Sequence, residues 1–440
     1  MKSTKISDVA GIGFLTRSHL QIRRNIYILP EPQRSNLTKK LFTPQLTLNW
    51  LTRILFFISL SAFLPAMPRY ISQIGGNYSQ TGIVMSAFAV GVLIFRPLVG
   101  KKVDTRGRKI VLIFGILIFI ISPVIYMFVT SVHWLIPVRI FHGLGLAAFG
   151  TASITLITDA APLESRGEIL SYTGMANTIA FASGPILGFW VWDNWGFDVL
   201  FSFLSGLAIL CLICSLFLNE TKTDSSAESS VKYLEAIWQR KIIVATTVIM
   251  LIGLVHGGVM FYIPFYLEDF KVNIGLFFSV YGISAFLIRF VVGKASDKIG
   301  RGPIVVFSLI FLTAGVFVLS QTTGVILMFT AAMLYGFGFG AQQPVLTALV
   351  ADSTTEETRG KVFSFYYGGF DLGISITGLL LGFIAEKFGI RSMFIVCSFI
   401  TFLALVIFST IIESSPRQSL QSTFSVRKAA NDPKSIEVPN

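Results

Sequence analysis

Charge and cysteine are both scarce in this chain of 440 residues: 13% of the side chains are charged, and there are three cysteines and four histidines. Soluble domains carry about 25% charged residues, so an ordinary soluble protein is excluded. Three cysteines cannot build the disulfide framework of a small secreted domain. Cys211 and Cys214 have the spacing of a metal or redox pair, yet they lie in an apolar stretch without a histidine or a second pair, so they read as small packing residues. No Ser/His/Asp or paired-carboxylate constellation points to an enzyme. No phosphate-binding loop points to an ATP-driven pump, no basic-aromatic pattern points to nucleic acid, and neither a metal nor a cofactor is implied.

What the chain has is apolar sequence. Hydrophobic residues make up 53%, with 41 phenylalanines that a soluble core of this size could not hide. A membrane crossing needs about 20 apolar residues. Such runs predict twelve spans near 50–72, 79–99, 110–130, 134–158, 168–191, 197–218, 241–266, 272–292, 304–320, 325–350, 361–385 and 389–412. The net charge of +12 is not gathered on one stripe; it sits between the runs. With the N-terminus inside, 27 lysines and arginines fall on the inner side, four outside and four within spans, which predicts cytoplasmic termini.

Residues 96–196 return 193 positions later as residues 289–389. The offset holds through Arg96/Arg289, Gly100/Gly293, Asp104/Asp297, Gly107/Gly300, Arg108/Arg301, Asp159/Asp352, Arg166/Arg359 and Gly196/Gly389. A duplication of glycines and charges between apolar runs predicts two related bundles of six helices. They span 50–218 and 241–412, joined by a polar linker at 219–240. The first 49 residues read as a basic disordered tail or an upstream misread start, with contact to anionic lipid as the next reading. The polar tail after 413 reads as disordered.

The segment Gly100-Lys101-Lys102-Val103-Asp104-Thr105-Arg106-Gly107-Arg108 and its copy from Gly293 through Asp297 and Gly300 to Arg301 suit tight inner turns, with an aspartate accepting from arginines. These residues are candidate gating latches; the plainer alternative is turn glycines beside inside-facing positive charge. In span five, Gly174, Gly184, Pro185 and Gly188 suit a bent, closely packed helix, because proline removes a backbone bond and glycine admits a neighbour.

These motifs together resemble the major facilitator superfamily, over residues 50–412. The family signature Gly-x-x-x-Asp-x-x-Gly-Arg matches the first inner turn, and Arg139-Ile140-Phe141-His142-Gly143 resembles its span-four element. The span-five motif resembles that of drug/proton antiporters, although Phe189 stands where a second glycine is usual and span one lacks an acidic residue. Leu64-Pro65-Ala66-Met67-Pro68, Arg96-Pro97 and Asp371-Leu372-Gly373-Ile374 are also similar to bacterial efflux members. The resemblance implies proton-driven export from a bacterial cell membrane.

Charges inside spans are costly, about 2.5–3.5 kcal/mol at mid-helix, and are functional candidates by default. Asp371 breaks the repeat opposite Thr178 and can exchange a proton as a cavity alternates; its alternative is a structural hydrogen bond. Arg139 breaks it opposite Ala332, with His142 one turn away, and His256 is a weaker candidate. Gln342, Gln343, Asn177 and Tyr335 are candidates for a substrate cavity. Arg96, Arg289 and Arg53 read as anchors at the inner rim.

The fold expected is an all-α membrane protein, a monomer, with a small organic molecule, protons and the lipid bilayer as its partners. The function expected is export of a drug-like compound or metabolite by proton antiport. Alternatives are a sugar or metallophore exporter, a proton-independent facilitator and, from another class, a non-transporting receptor or scaffold.

Overall fold

The computed structural model describes residues 43–161, 166–221, 237–268, 270, 274–354 and 356–412. Most of the basic N-terminal segment, the middle of the linker and the tail after 412 lie outside them. The described residues form ten helices: α1 (Pro44–Gln73), α2 (Tyr78–Arg106), α3 (Arg108–Phe128), α4 (Val132–Ala160), α5 (Arg166–Leu216), α6 (Arg240–Glu268), α7 (Ile274–Ile299), α8 (Arg301–Ser320), α9 (Val325–Asp352) and α10 (Glu356–Ile412). All ten are long and apolar enough to cross a membrane. Helix α1 starts before the expected residue 50. Thr43 caps it by accepting from the Leu46 N–H, and Pro44 stands at its first position, where no intrahelical N–H is needed.

Ten helices are observed where twelve spans were expected. Two helices are very long: α5 has 51 residues and α10 has 57, or about 77 and 85 Å at 1.5 Å per residue. Each leaves helical geometry at one glycine, Gly196 (φ 80°) and Gly389 (φ 84°). A single residue of positive φ without a Cβ breaks the helix there without leaving a separate loop. The turns at Gly107 (φ 108°) and Gly300 (φ 93°) work in the same way. Both pairs obey the 193-residue offset, so the duplication is realised as matched turns. The expected loops after Gly100 and Gly293 are themselves helical, and both glycines have open space beside them.

Packing repeats as well. Helix α1 packs on α5, α2 on α4, and α3 on both α4 and α5; correspondingly α6 packs on α10, α7 on α9, and α8 on both α9 and α10. The two sets meet where α2 lies against α10, α5 against α7 and α1 against α6. The exterior is apolar, with Phe128, Ile326, Leu379 and Phe399 exposed, as lipid-facing surface requires. Exposed Trp134, Trp190 and Trp195 lie toward the Gly196 end, where interfacial aromatics belong. Lys101, Lys102, Arg106, Lys109, Lys298 and Arg301 mark the opposite end, called here the basic face.

Candidate functional site

Two pairs of polar side chains join the two sets of helices in their middle. Arg96 of α2 lies 2.7 Å from the Asp371 carboxylate on α10, with side chains 29% and 16% exposed, so the pair is half-sheltered. Arg289 of α7 donates to the Thr178 hydroxyl on α5 and, at 3.2 Å, to the Gln343 amide oxygen on α9. Since Arg96 matches Arg289 and Thr178 matches Asp371 at the same offset, these are one contact built twice, once with an acid and once with a hydroxyl. Neither arginine is the inner-rim anchor expected. The lateral packing of α2 on α10 and of α5 on α7 turns both inward, toward the other set.

Arg53 also departs from the rim. It is buried among α1, α4 and α5, donating from Nε to Asn177 (2.7 Å) and from a terminal nitrogen to Ser153 (3.1 Å), with Phe57 under its guanidinium at 5.0 Å. Asn177 and Gln343 are thus each held by an arginine in this polar belt. Tyr367 on α10 stands within electrostatic reach of Arg53, Arg96 and Arg289 together, and its hydroxyl meets Thr347 at 3.3 Å. Gln342 is fully buried, and neither of its amide atoms has a partner among the described residues.

Arg139 and His142 do not join the belt. Arg139 is 1% exposed, bonded to the Val84 and Met85 carbonyls of α2 and flanked by the faces of Phe63 and Phe88. Such cation–π contacts shelter a charge without a carboxylate. His142 is 2% exposed, boxed by Phe63, Phe88 and Phe119, with Nδ1 3.2 Å from the Tyr126 hydroxyl. Both side chains are enclosed in the packing of α1, α2, α3 and α4, apart from the polar belt. His256 pairs with Tyr335 at 2.8 Å and stacks on Phe339. Its ring centroid also lies 6.0 Å from that of Phe370, the neighbour of Asp371.

The charged turns on the basic face tie helices within each set. Arg108 donates to Asp159 at 3.1 Å and to the Val103 carbonyl at 3.2 Å; Arg301 repeats this with Asp352 at 3.3 Å and Ser296 at 2.6 Å. Asp104 is 4.0 Å from Arg108 and largely exposed, while the side chain of Asp297 lies outside the described residues. These ties are internal to a set because the turn at each glycine brings neighbouring helix ends together. Glu220 completes the first turn, accepting from the N–H groups of Arg108 (2.8 Å) and Lys109 (3.0 Å) at the start of α3, where a helix favours negative charge. Sequence reasoning missed Glu220, although the offset pairs it with Glu413. Because the Arg108 guanidinium is buried and doubly bonded, Arg108→Ala should cost about 1–3 kcal/mol. An unchanged thermal midpoint in detergent would show that this tie is idle.

At the other end the sets are sealed. Arg69 pairs with Glu268 and donates to the Pro264 carbonyl at 2.7 Å. Glu386 of α10 accepts from the N–H of Tyr78 (2.9 Å) and of Ser79 (3.4 Å) at the start of α2, and the Tyr262 hydroxyl donates to the Tyr78 carbonyl at 3.0 Å. One layer deeper, Ser86 donates to the Ile374 carbonyl (3.1 Å) and accepts from the Gly378 N–H (2.8 Å). There α2 and α10 cross at Gly82 and Gly378, where a Cβ on Gly378 would collide with the Gly82 carbonyl. In the span-five motif, Gly184 faces Ser61 and Gly188 faces the Ala62 carbonyl of α1, both too close for a side chain. Pro185 lies within that helix, and Gly174 faces open space.

A membrane-crossing bundle built as two matching sets, polar between them and apolar outside, is the architecture of a carrier. The profile of the Major Facilitator Superfamily matches residues 50–273 and 271–434. The staphylopine export protein of Staphylococcus aureus is 26% identical, covering 82% of this chain and 95% of that one. The multidrug resistance protein MdtG of Klebsiella pneumoniae is 24% identical over 88% of this chain and 94% of its own. The crystal structure of the nucleoside transporter NupG superposes with a TM-score of 0.69 at 14% identity, covering 84% of this chain and 99% of that one. With both halves matched and full-length relatives that are transporters rather than enzymes, the chain belongs to the Major Facilitator Superfamily as a multi-pass membrane transporter.

Proposed function

We propose that the chain is a secondary active transporter that exports a small organic compound, a drug-like molecule or a metabolite, in exchange for protons by alternating access. The observation that carries this reading is Arg96 against Asp371. It is a charge pair inside the membrane zone, made between the two sets of helices that alternating access must separate. Protonating Asp371 would neutralise its carboxylate, remove its charge attraction for Arg96 and loosen α2 from α10, which links proton binding to movement.

The long helices α5 and α10 then each cross twice, folding back at Gly196 and Gly389, which makes twelve crossings in two six-helix bundles. The excess of lysine and arginine on the basic face supports a cytoplasmic location for that face, and for both termini, in a bacterial cell. The end tied by Arg69, Glu268 and Glu386 is then extracellular, and its closure suits an exporter that loads from the cytoplasm. The work of MdtG and of the staphylopine exporter supports the direction of transport. Each chain contains its own polar belt and works as a monomer.

The substrate comes from a deletion strain screened for hypersensitivity to drugs and metabolites. Inside-out vesicles with an acidic interior should then accumulate that compound against its gradient, and an uncoupler should stop accumulation. Uphill uptake indifferent to the uncoupler would sink proton exchange.

A further inference from the structure

We infer that the transported molecule is an organic anion, its acidic group held between Arg289 and Arg53 and its apolar body against Phe57 and Phe181. This rests on the transporter reading above and names its substrate class.

The argument starts from charge. Four arginines lie within the spans, and among the described residues one intramembrane carboxylate, Asp371, is paired with one of them, Arg96. Arg139 is enclosed by aromatic faces and backbone carbonyls, which accounts for it. Among the described residues, Arg53 and Arg289 are left with neutral partners. An uncompensated charge removed from water is expensive, so such groups persist where a ligand of opposite sign completes them.

Their placement supports the same conclusion. Arg53 comes from one set of helices and Arg289 from the other, and they bond adjacent residues of α5, Asn177 and Thr178. Internal symmetry shows what is missing. At Arg96 the protein supplies an aspartate; at Arg289 the matching position is Thr178, a hydroxyl, and the Arg289 Nε, buried from solvent, has no partner among the described residues. A carboxylate on the ligand would stand where the acid of the other pair stands. Arginine presents a planar fork that suits two carboxylate oxygens. The nearby apolar surface is also in place: Phe57 lies under Arg53, and partly exposed Phe181 has its ring 5.7 Å from that of Phe57. Arg53, Ser153 and Asn177 face Thr246, Leu346 and Phe370 across the duplication, so this polar cluster belongs to the first half alone. A cluster that escapes the repeat is what an asymmetric ligand calls for.

The test is equilibrium binding to the purified full-length protein in nanodiscs without a proton gradient, read by fluorescence anisotropy. The probes are carboxyfluorescein, an aromatic anion, and ethidium, an aromatic cation. Carboxyfluorescein should bind and ethidium should not displace it. Arg289→Gln should weaken binding roughly tenfold, and Arg289→Lys should weaken it less. Thr178→Asp should abolish it, because the new carboxylate occupies Arg289 as Asp371 occupies Arg96; a thermal midpoint at or above that of the parent would show that this variant is folded. No binding of carboxyfluorescein, or equal binding to folded Thr178→Asp, overturns the inference. Loss of proton-driven uptake in vesicles would strike the antiport reading instead and leave the binding result standing.

Discussion

Asp371→Asn should abolish uphill export while leaving downhill exchange of substrate between the two sides. The asparagine keeps the shape of the carboxylate and cannot gain or lose a proton, so it holds the site permanently in its neutral form. Arg96 then no longer faces a charge 2.7 Å away, and the α2–α10 contact no longer depends on protonation. Substrate alone still drives the alternation, because the outer seal of Arg69, Glu268, Glu386 and Ser86 is untouched. In inside-out vesicles the steady-state accumulation ratio should fall from many-fold to about one, with counterflow retained. Full accumulation in the variant would exclude Asp371 as the coupling site. A carboxylate carried on a side chain one methylene longer, as in Asp371→Glu, should recover part of the activity.

Gly378→Ala should slow turnover at least tenfold by preventing the end tied by Glu386 from closing. At the crossing of α2 and α10 the two backbones touch, and a methyl group on Gly378 would occupy the space of the Gly82 carbonyl. The helices must part, and the bond from the Gly378 N–H to Ser86 goes with them. Glycine at a helix crossing is retained for this close approach, and interiors packed this tightly do not absorb a methyl without displacement. The packing of α6 on α10 and of α2 on α4 is unaffected, so the protein should fold and reach the membrane. Export should fall at least tenfold, while the distance between spin labels on the outer ends of α2 and α10 lengthens. Normal export, or an unchanged distance, would mean that the crossing has room to spare.

Much of the architecture was legible before any coordinates. Apolar runs announced the helices, and the glycines at 107 and 300 announced turns, because only glycine takes positive φ without penalty. The count was less legible: twelve spans were expected and ten helices are described, because no loop separates the apolar runs on either side of Gly196 and Gly389. The ties of Arg108 to Asp159 and of Arg301 to Asp352 could have been anticipated, since both partners recur at the offset. Glu220 could too, through Glu413. Arg53 was misjudged for a specific reason. It stands near the start of a span, where arginines usually reach for the surface, and the fact that Thr246 replaces it in the other half was not weighed.

The amino-acid sequence by itself determined a membrane-embedded, duplicated helical carrier with glycine turns and one basic face, because those properties depend on local composition and on periodicity. Only the tertiary structure decided which charges meet. Arg96 reaches Asp371, and Arg289 reaches Thr178 in place of an acid, because helices from opposite halves lie side by side. Neither residue of such a pair carries in its neighbours any record of the partner, so the charge left unbalanced at Arg53 and Arg289 emerges only when the halves are assembled.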